Sequence, residues 1–212
     1  RLPYQNNVLR IVKTLMSNKI FPYLCNSNNF NGPATEWHTD QAANTDCFAV
    51  KVAFYLDELD ENSGGLRFLP CSHREPLNSD LWDFGLHGSN ETDIKDYQSK
   101  SGLEIDQVPS YYCRTNPGDM VIFNLKIWHS SLGGQKNRRN VTINYSRYPE
   151  TDSESESLKK LAIQSKQTMK RLNFPTPQFT NFWIDQIKNS QYNGWLNSLG
   201  EFGFIENNYL KG

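Results

Sequence analysis

The segment Cys47 to Leu56 carries the run FAVKVAFYL, and it restricts the fold more than any other stretch of the chain. β-Branched and aromatic residues without strict alternation describe a strand buried on both faces, which needs further layers of structure on each side. The residues that follow, DELDENSGG from Asp57 to Gly65, have turn composition, and Leu66 to Leu69 reads as a second short strand. Met120–Phe123 and Val141–Tyr148 are the other clear strands, the first launched by the turn Pro117-Gly118-Asp119.

Helical patterns flank this strand-rich centre. Asn6 to Ser17 places Val8, Leu9, Ile11, Val12, Leu15 and Met16 on one broad face. Ile20–Leu24 is a short strand, and the Asn-, Gly- and Pro-containing stretch Asn26–Pro33 is expected to be a polar loop. His73 to Ser110 is polar and reads as irregular, long enough for a functional insertion. Ser153–Leu172 has helical spacing behind a Ser/Glu-rich start and is expected to stop before Pro175 and Pro177, with one more helix over Asn181–Leu199. No internal repeat is visible. These signals divide the chain into an N-terminal helix and strand (1–32), a central core (33–150) with an insertion at 75–110, and a helical extension (151–212), all within one domain.

Composition narrows the partners. The 212 residues hold 22 Lys+Arg against 23 Asp+Glu, so no basic surface calls for nucleic acid or an anionic membrane. No run approaches the roughly 18 apolar residues of a membrane span. Cys25, Cys47, Cys71 and Cys113 are widely spaced with no CxxC pair, which speaks against a thiolate metal site or a disulfide framework. Together with the lack of an apolar signal segment, this gives the expectation of a cytoplasmic protein; its oligomeric state, monomer or homodimer, is left open by the sequence.

With 4 histidines in the chain, the position of each carries information. Trp37-His38-Thr39-Asp40 sets an imidazole and a carboxylate two residues apart, and on extended chain such residues point to the same side. One strand end can thus offer a metal a nitrogen and an oxygen, with a third ligand from elsewhere. His129 follows a strand in PGDMVIFNLKIWHSS, and Arg138-Arg139 heads the strand VTINYSRY beyond it. An arginine returned beside a metal by a hairpin would grip a carboxylate bidentately. Each piece alone has a bland reading, because an HxD triplet arises by chance and a lone histidine is usually structural. The ordered set is far more specific.

That set resembles the phytanoyl-CoA dioxygenase-like branch of the Fe(II)/2-oxoglutarate-dependent oxygenases. The resemblance runs over about Pro33 to Pro149 and rests on WHTD, YLDELDENSGGLRFLPCSHR (with Cys71 where Gly is usual), NPGDMVIFNLKIWHSS and RRNVTINYSRY. It implies a double-stranded β-helix, the cupin-like jelly roll, in a mainly β protein with flanking helices. It also implies Fe(II), with 2-oxoglutarate and O2 as cosubstrates. His38, Asp40 and His129 match the family's metal ligands. Ser131 matches the small hydroxyl residue that helps hold the cosubstrate's distal carboxylate. The family's arginine lies about ten residues past the last histidine, which favours Arg139, with Arg138 as rival because the two face opposite sides of one strand. Thr39 stands where many relatives have Gln, which puts a cosubstrate contact there in doubt.

The implied reaction is hydroxylation of an unactivated C–H with decarboxylation of 2-oxoglutarate to succinate. Desaturation or oxidative cyclisation needs the same ligand set. A non-catalytic jelly-roll binding module and a histidine-rich cupin-type enzyme are the rivals. His73 reads as a structural turn histidine, His87 as a solvated loop residue, and Trp37 and Trp128 as packing around the metal. The insertion and the aromatic tail (Phe174 to Phe204) are the expected sources of substrate specificity, closure or dimer contact.

Overall fold

β3 (Ala49–Tyr55) shows why the FAVKVAFYL run matters: Ala49, Ala53 and Tyr55 are buried on one face, Val50 and Val52 on the other. The computed structural model describes residues 2–30, 35–42, 44–87, 91–133, 138–171 and 179–206. Around β3 lie β1 (Ile20–Phe30), β2 (Thr35–His38), β4 (Arg67–Phe68), β5 (Tyr111–Tyr112), β6 (Met120–Asn124), β7 (His129–Ser131) and β8 (Arg138–Arg147). They form two four-stranded sheets, ordered β1-β8-β3-β6 and β2-β7-β4-β5. The helices are α1 (Asn6–Leu15), α2 (Leu77–Asp83), α3 (Glu91–Ser101), α4 (Asp152–Arg171), α5 (Asn181–Lys188) and α6 (Gly194–Glu201). The core is a mainly β jelly roll, flanked by helices.

Contacts along the chain group it into two compact units. One comprises Arg1–Asn26, Thr45–Val50 and Thr142–Gly212; the other comprises Ser27–Asn44 and Lys51–Val141. In the first, the aromatic tail is packing material: Phe202 stacks on Phe21 at 5.7 Å between ring centroids, Phe204 lies 5.0 Å from Tyr23, and the Tyr145 hydroxyl donates to the Pro3 carbonyl at 2.6 Å. Large rings buried in this way are the main apolar stabilisation of such a layer. Among the described residues, no helix is long and apolar enough to cross a membrane.

Three expectations change. β1 extends to Phe30, so residues 26–30 are strand and not loop; the Asn28 side-chain amide donates to Asn140 Oδ1 at 3.0 Å, and such cross-strand pairs satisfy an asparagine-rich strand that looks like a loop by composition. The 73–110 stretch is largely helical, because Leu86, Tyr97 and Val108 give it its own buried side. The Asn181–Leu199 helix is two helices: Ser190 Oγ accepts the Tyr192 N–H and donates to the Ile187 carbonyl, a serine turn that ends α5. Phe174, Pro175 and Pro177 lie outside the described residues.

Candidate metal centre

β2 and β7 pair antiparallel with His38 opposite His129, and a local irregularity lies between Thr35 and His38. This register brings the two rings to 4.2 Å between centroids from distant parts of the sequence. Just past β2 the chain turns, and the Asp40 and Gln41 N–H groups both donate to the Leu125 carbonyl, at 3.0 and 3.1 Å. That tether fixes the Asp40 backbone beside β7. As a result one nitrogen or oxygen from each of His38, Asp40 and His129 lies within 4.8 Å of the others. Asp40 Oδ1 is 3.9 Å from His38 Nε2, and Oδ2 is 3.5 Å from His129 Nε2.

The hydrogen bonds around this cluster settle its protonation. His38 Nδ1 lies 2.7 Å from the Glu36 carbonyl and His129 Nδ1 lies 2.9 Å from the Ile127 carbonyl. A carbonyl oxygen only accepts, so each Nδ1 is the donor and each ring turns its Nε2 to the cluster. Burial pushes His129 down to about 3, against the pull of the Asp40 charge, so its imidazole is neutral. Burial of Asp40 opposes its charge, but Lys51, whose Nζ lies 2.7 Å from Oδ2, together with His129 and His38 outweighs that and holds the carboxyl well below the usual carboxylate range. A neutral His129 imidazole and an ionised Asp40 carboxylate are the protonation states a divalent ion requires of those two ligands. Atoms bound to one ion at roughly 2.0–2.2 Å lie no more than about 4.4 Å apart, and the 3.9 and 3.5 Å separations of the Asp40 oxygens from the two imidazoles fall within that span.

A second group of predicted residues meets nearby on β7 and β8. Ser131 Oγ donates to the Gly64 carbonyl at 2.5 Å, and Arg138 Nη1 reaches the same carbonyl at 2.9 Å and also hydrogen-bonds Ser131 Oγ. Arg138 is 6% exposed, and burial draws its guanidinium below its ordinary value. Arg139, the arginine favoured by spacing, points to the other side and grips Asp57 in an exposed pair, Nη2 to Oδ1 at 2.6 Å. The strand alternation separates the two: β8 begins at Arg138, whose side chain is buried, and Arg139 is exposed. The Thr39 hydroxyl is buried with no hydrogen-bond partner among the described residues.

The residues flanking the cluster hold its strands from behind. Trp37 and Trp128 are buried with Leu86, Tyr97, Val108 and Leu132 in one apolar cluster, against which Leu81 and Trp82 pack. Trp37 Nε1 donates to the Ile105 carbonyl at 3.1 Å and Trp128 Nε1 to the Asn78 carbonyl at 3.4 Å. The insertion is therefore a buttress for the strand that ends in His38 and the strand that begins at His129. His87 is not a solvated loop residue, since its ring lies 4.6 Å from that of Trp82. His73 is part-buried in its turn, and burial lowers its basicity.

Sequence reasoning did not single out Lys51 or the Gly64 carbonyl. The signal for Lys51 was one cation in an otherwise apolar strand, and it passed for strand composition.

A jelly-roll core carrying a two-histidine, one-carboxylate cluster defines the class, that of jelly-roll proteins with a cluster able to hold a metal ion. The family model "Phytanoyl-CoA dioxygenase (PhyH)" matches residues 5–140, more than half of the chain. The chain belongs to the phytanoyl-CoA dioxygenase family, and that membership implies Fe(II), 2-oxoglutarate and O2 as its cofactor set. Among solved structures, EvdMO1 superposes with a TM-score of 0.50 at 16% identity, covering 70% of this chain and 32% of its own. AviO1 from Streptomyces viridochromogenes matches at 0.48 and 16%, covering 70% of this chain and 62% of its own. EctD from S. alaskensis, solved with 2-oxoglutarate and 5-hydroxyectoine, matches at 0.47 and 16%, covering 69% and 51%. The chain thus spans between about a third and three fifths of the length of these proteins. No curated protein sequence matches it.

Proposed function

We propose that this protein is an Fe(II)- and 2-oxoglutarate-dependent oxygenase that hydroxylates a C–H bond of a small organic substrate. The observation that carries the reading is the convergence of His38, Asp40 and His129, with each histidine's Nδ1 turned to a backbone carbonyl. Bound Fe(II) with 2-oxoglutarate and O2 supplies the oxidising chemistry, decarboxylation of 2-oxoglutarate to succinate and CO2 coupled to oxidation of the substrate.

The chain's own residues bind, orient and exclude water. His38, Asp40 and His129 would hold the ion. Arg138 and Ser131 receive the distal carboxylate of 2-oxoglutarate, the guanidinium giving a planar donor fork and the hydroxyl one more hydrogen bond. Arg138 takes this role in place of Arg139, whose guanidinium is committed to Asp57. The Thr39 hydroxyl, buried beside two ligands, is the further donor offered to the cosubstrate. Phe123 and Phe68, 4.8 and 6.1 Å from the His129 ring, form an apolar wall that keeps water from that side. The whole chain forms one oxygenase domain, with 33–150 as its jelly-roll core.

Turnover tests this reading. The protein supplied with Fe(II), ascorbate and 2-oxoglutarate under air is expected to release succinate, and candidate substrates are expected to accelerate that release. Absence of succinate above the metal-free control, with every candidate class, contradicts it.

A further inference from the structure

Lys51 is the one charged side chain of β3, in the sequence AVKVAFY. It shares a face with Ala49, Ala53 and Tyr55, all buried. Its ammonium lies 5.9 Å from the centre of the Phe123 ring and ends 2.7 Å from Asp40 Oδ2. The two side chains are 17% and 19% exposed, so bulk water and salt screen the pair weakly. A strand buried on both faces is better filled by an apolar residue, and a buried cation there is costly unless its partner gives it a task.

The partner is the carboxylate of the proposed metal centre. A carboxylate can offer an ion one oxygen or two, and an ion bound by both has one position fewer for other ligands. The lysine ammonium lies 2.7 Å from Oδ2, nearer than His129 Nε2 at 3.5 Å, and so competes with a metal for that oxygen. Its charge also cancels that of Asp40, so a bound divalent ion faces the doubly negative 2-oxoglutarate with its full charge. Without the lysine, one unit of that positive charge is cancelled by the carboxylate.

We propose that Lys51 is a positioning residue that withholds Asp40 Oδ2 from the metal, weakening metal binding in exchange for tighter binding of the dianionic cosubstrate. This inference rests on the metal and cosubstrate reading above. It predicts opposed effects on two binding constants, which a merely structural lysine does not produce.

The test is anaerobic binding of Co(II) to the metal-stripped full chain, followed by its visible ligand-field absorbance, and then 2-oxoglutarate titrated into the Co(II) form. Lys51→Met is expected to bind Co(II) more tightly and 2-oxoglutarate more weakly, each on the order of tenfold, the low end of the range for residues that support a metal ligand. Lys51→Gln, which keeps a donor and loses the charge, moves both constants in the same directions by a smaller factor. It decides the matter if the methionine variant does not fold. Lys51→Arg keeps both near wild type. Weakening of both ligands, or no change in either, overturns the role of Lys51. A wild-type Co(II) form whose spectrum ignores 2-oxoglutarate overturns the functional reading itself.

Discussion

Arg138 and Ser131 share one acceptor, the Gly64 carbonyl, and hydrogen-bond each other on the buried side of β7 and β8. Arg139, one residue on, faces Asp57 on the exposed side. The two arginines are therefore expected to respond very differently to removal. Arg138→Met raises the dissociation constant for 2-oxoglutarate on the order of a hundredfold, because a buried charge-assisted contact of about 2–3 kcal/mol is lost. Arg139→Ala leaves that constant within about twofold, since an exposed ion pair contributes at most about 1 kcal/mol to stability. Calorimetric titration of 2-oxoglutarate into the Mn(II)-loaded variants measures both.

Asn78 is where the insertion grips the core. Its side-chain amide donates to the Ser72 carbonyl at 2.6 Å and the Lys126 carbonyl at 2.8 Å, and the residue is 1% exposed. Asn78→Ala strands both acceptors in a dry site and is expected to cost about 2–4 kcal/mol, at about 1–3 kcal/mol for an unmade buried hydrogen bond. The same change loosens the seat of Trp128, so metal affinity falls along with the melting temperature. Denaturant unfolding with and without Mn(II) separates the two effects. An unchanged midpoint would show that the insertion is no buttress.

Cys71 sits at φ 65, a left-handed conformation that a side chain disfavours. It is exposed, so little packing is lost on removing its side chain. Cys71→Gly is expected to stabilise the protein by about 0.5–1 kcal/mol, the local strain exceeding the added flexibility of the unfolded chain. Thermal melts under reducing conditions check the sign.

Glu154 is 7% exposed, accepts the Glu150 N–H at 2.7 Å and pairs with Arg147. Burial opposes its charge, but those two partners outweigh burial and hold its carboxyl below the ordinary value. A carboxylate lowered in the folded state contributes stability above its unfolded value, near pH 4.3, and loses that contribution as the pH falls through the folded value. Wild type is thus expected to exceed Glu154→Gln by about 1–3 kcal/mol at pH 7, with the gap closing below about pH 4. Melting curves of both proteins from pH 3 to 8 test it, and a gap independent of pH would remove the ionic explanation.

The strands of the core were legible because their burial is written in side-chain type: FAVKVAFYL is apolar on both faces, and β3 is buried on both faces. The donor set was legible because HTD needs only local extended chain, while His129 came with the PGD turn ahead of its strand. Composition failed where polar residues are satisfied by partners distant in sequence. Asn28 in β1 finds Asn140, and the polar insertion finds Trp37 and Trp128, pairings that no local pattern encodes. The choice between Arg138 and Arg139 likewise depended on the register of β8, where a one-residue shift exchanges the two faces.

The central claim is that His38, Asp40 and His129 hold one Fe(II) to which 2-oxoglutarate binds. Anaerobic addition of Fe(II) and 2-oxoglutarate to the metal-stripped protein tests it most directly. The expected result is a weak visible charge-transfer band that saturates at one Fe(II) per chain and is lost in Asp40→Ala. Absence of the band in the wild type, or its full retention in Asp40→Ala, would contradict the assignment.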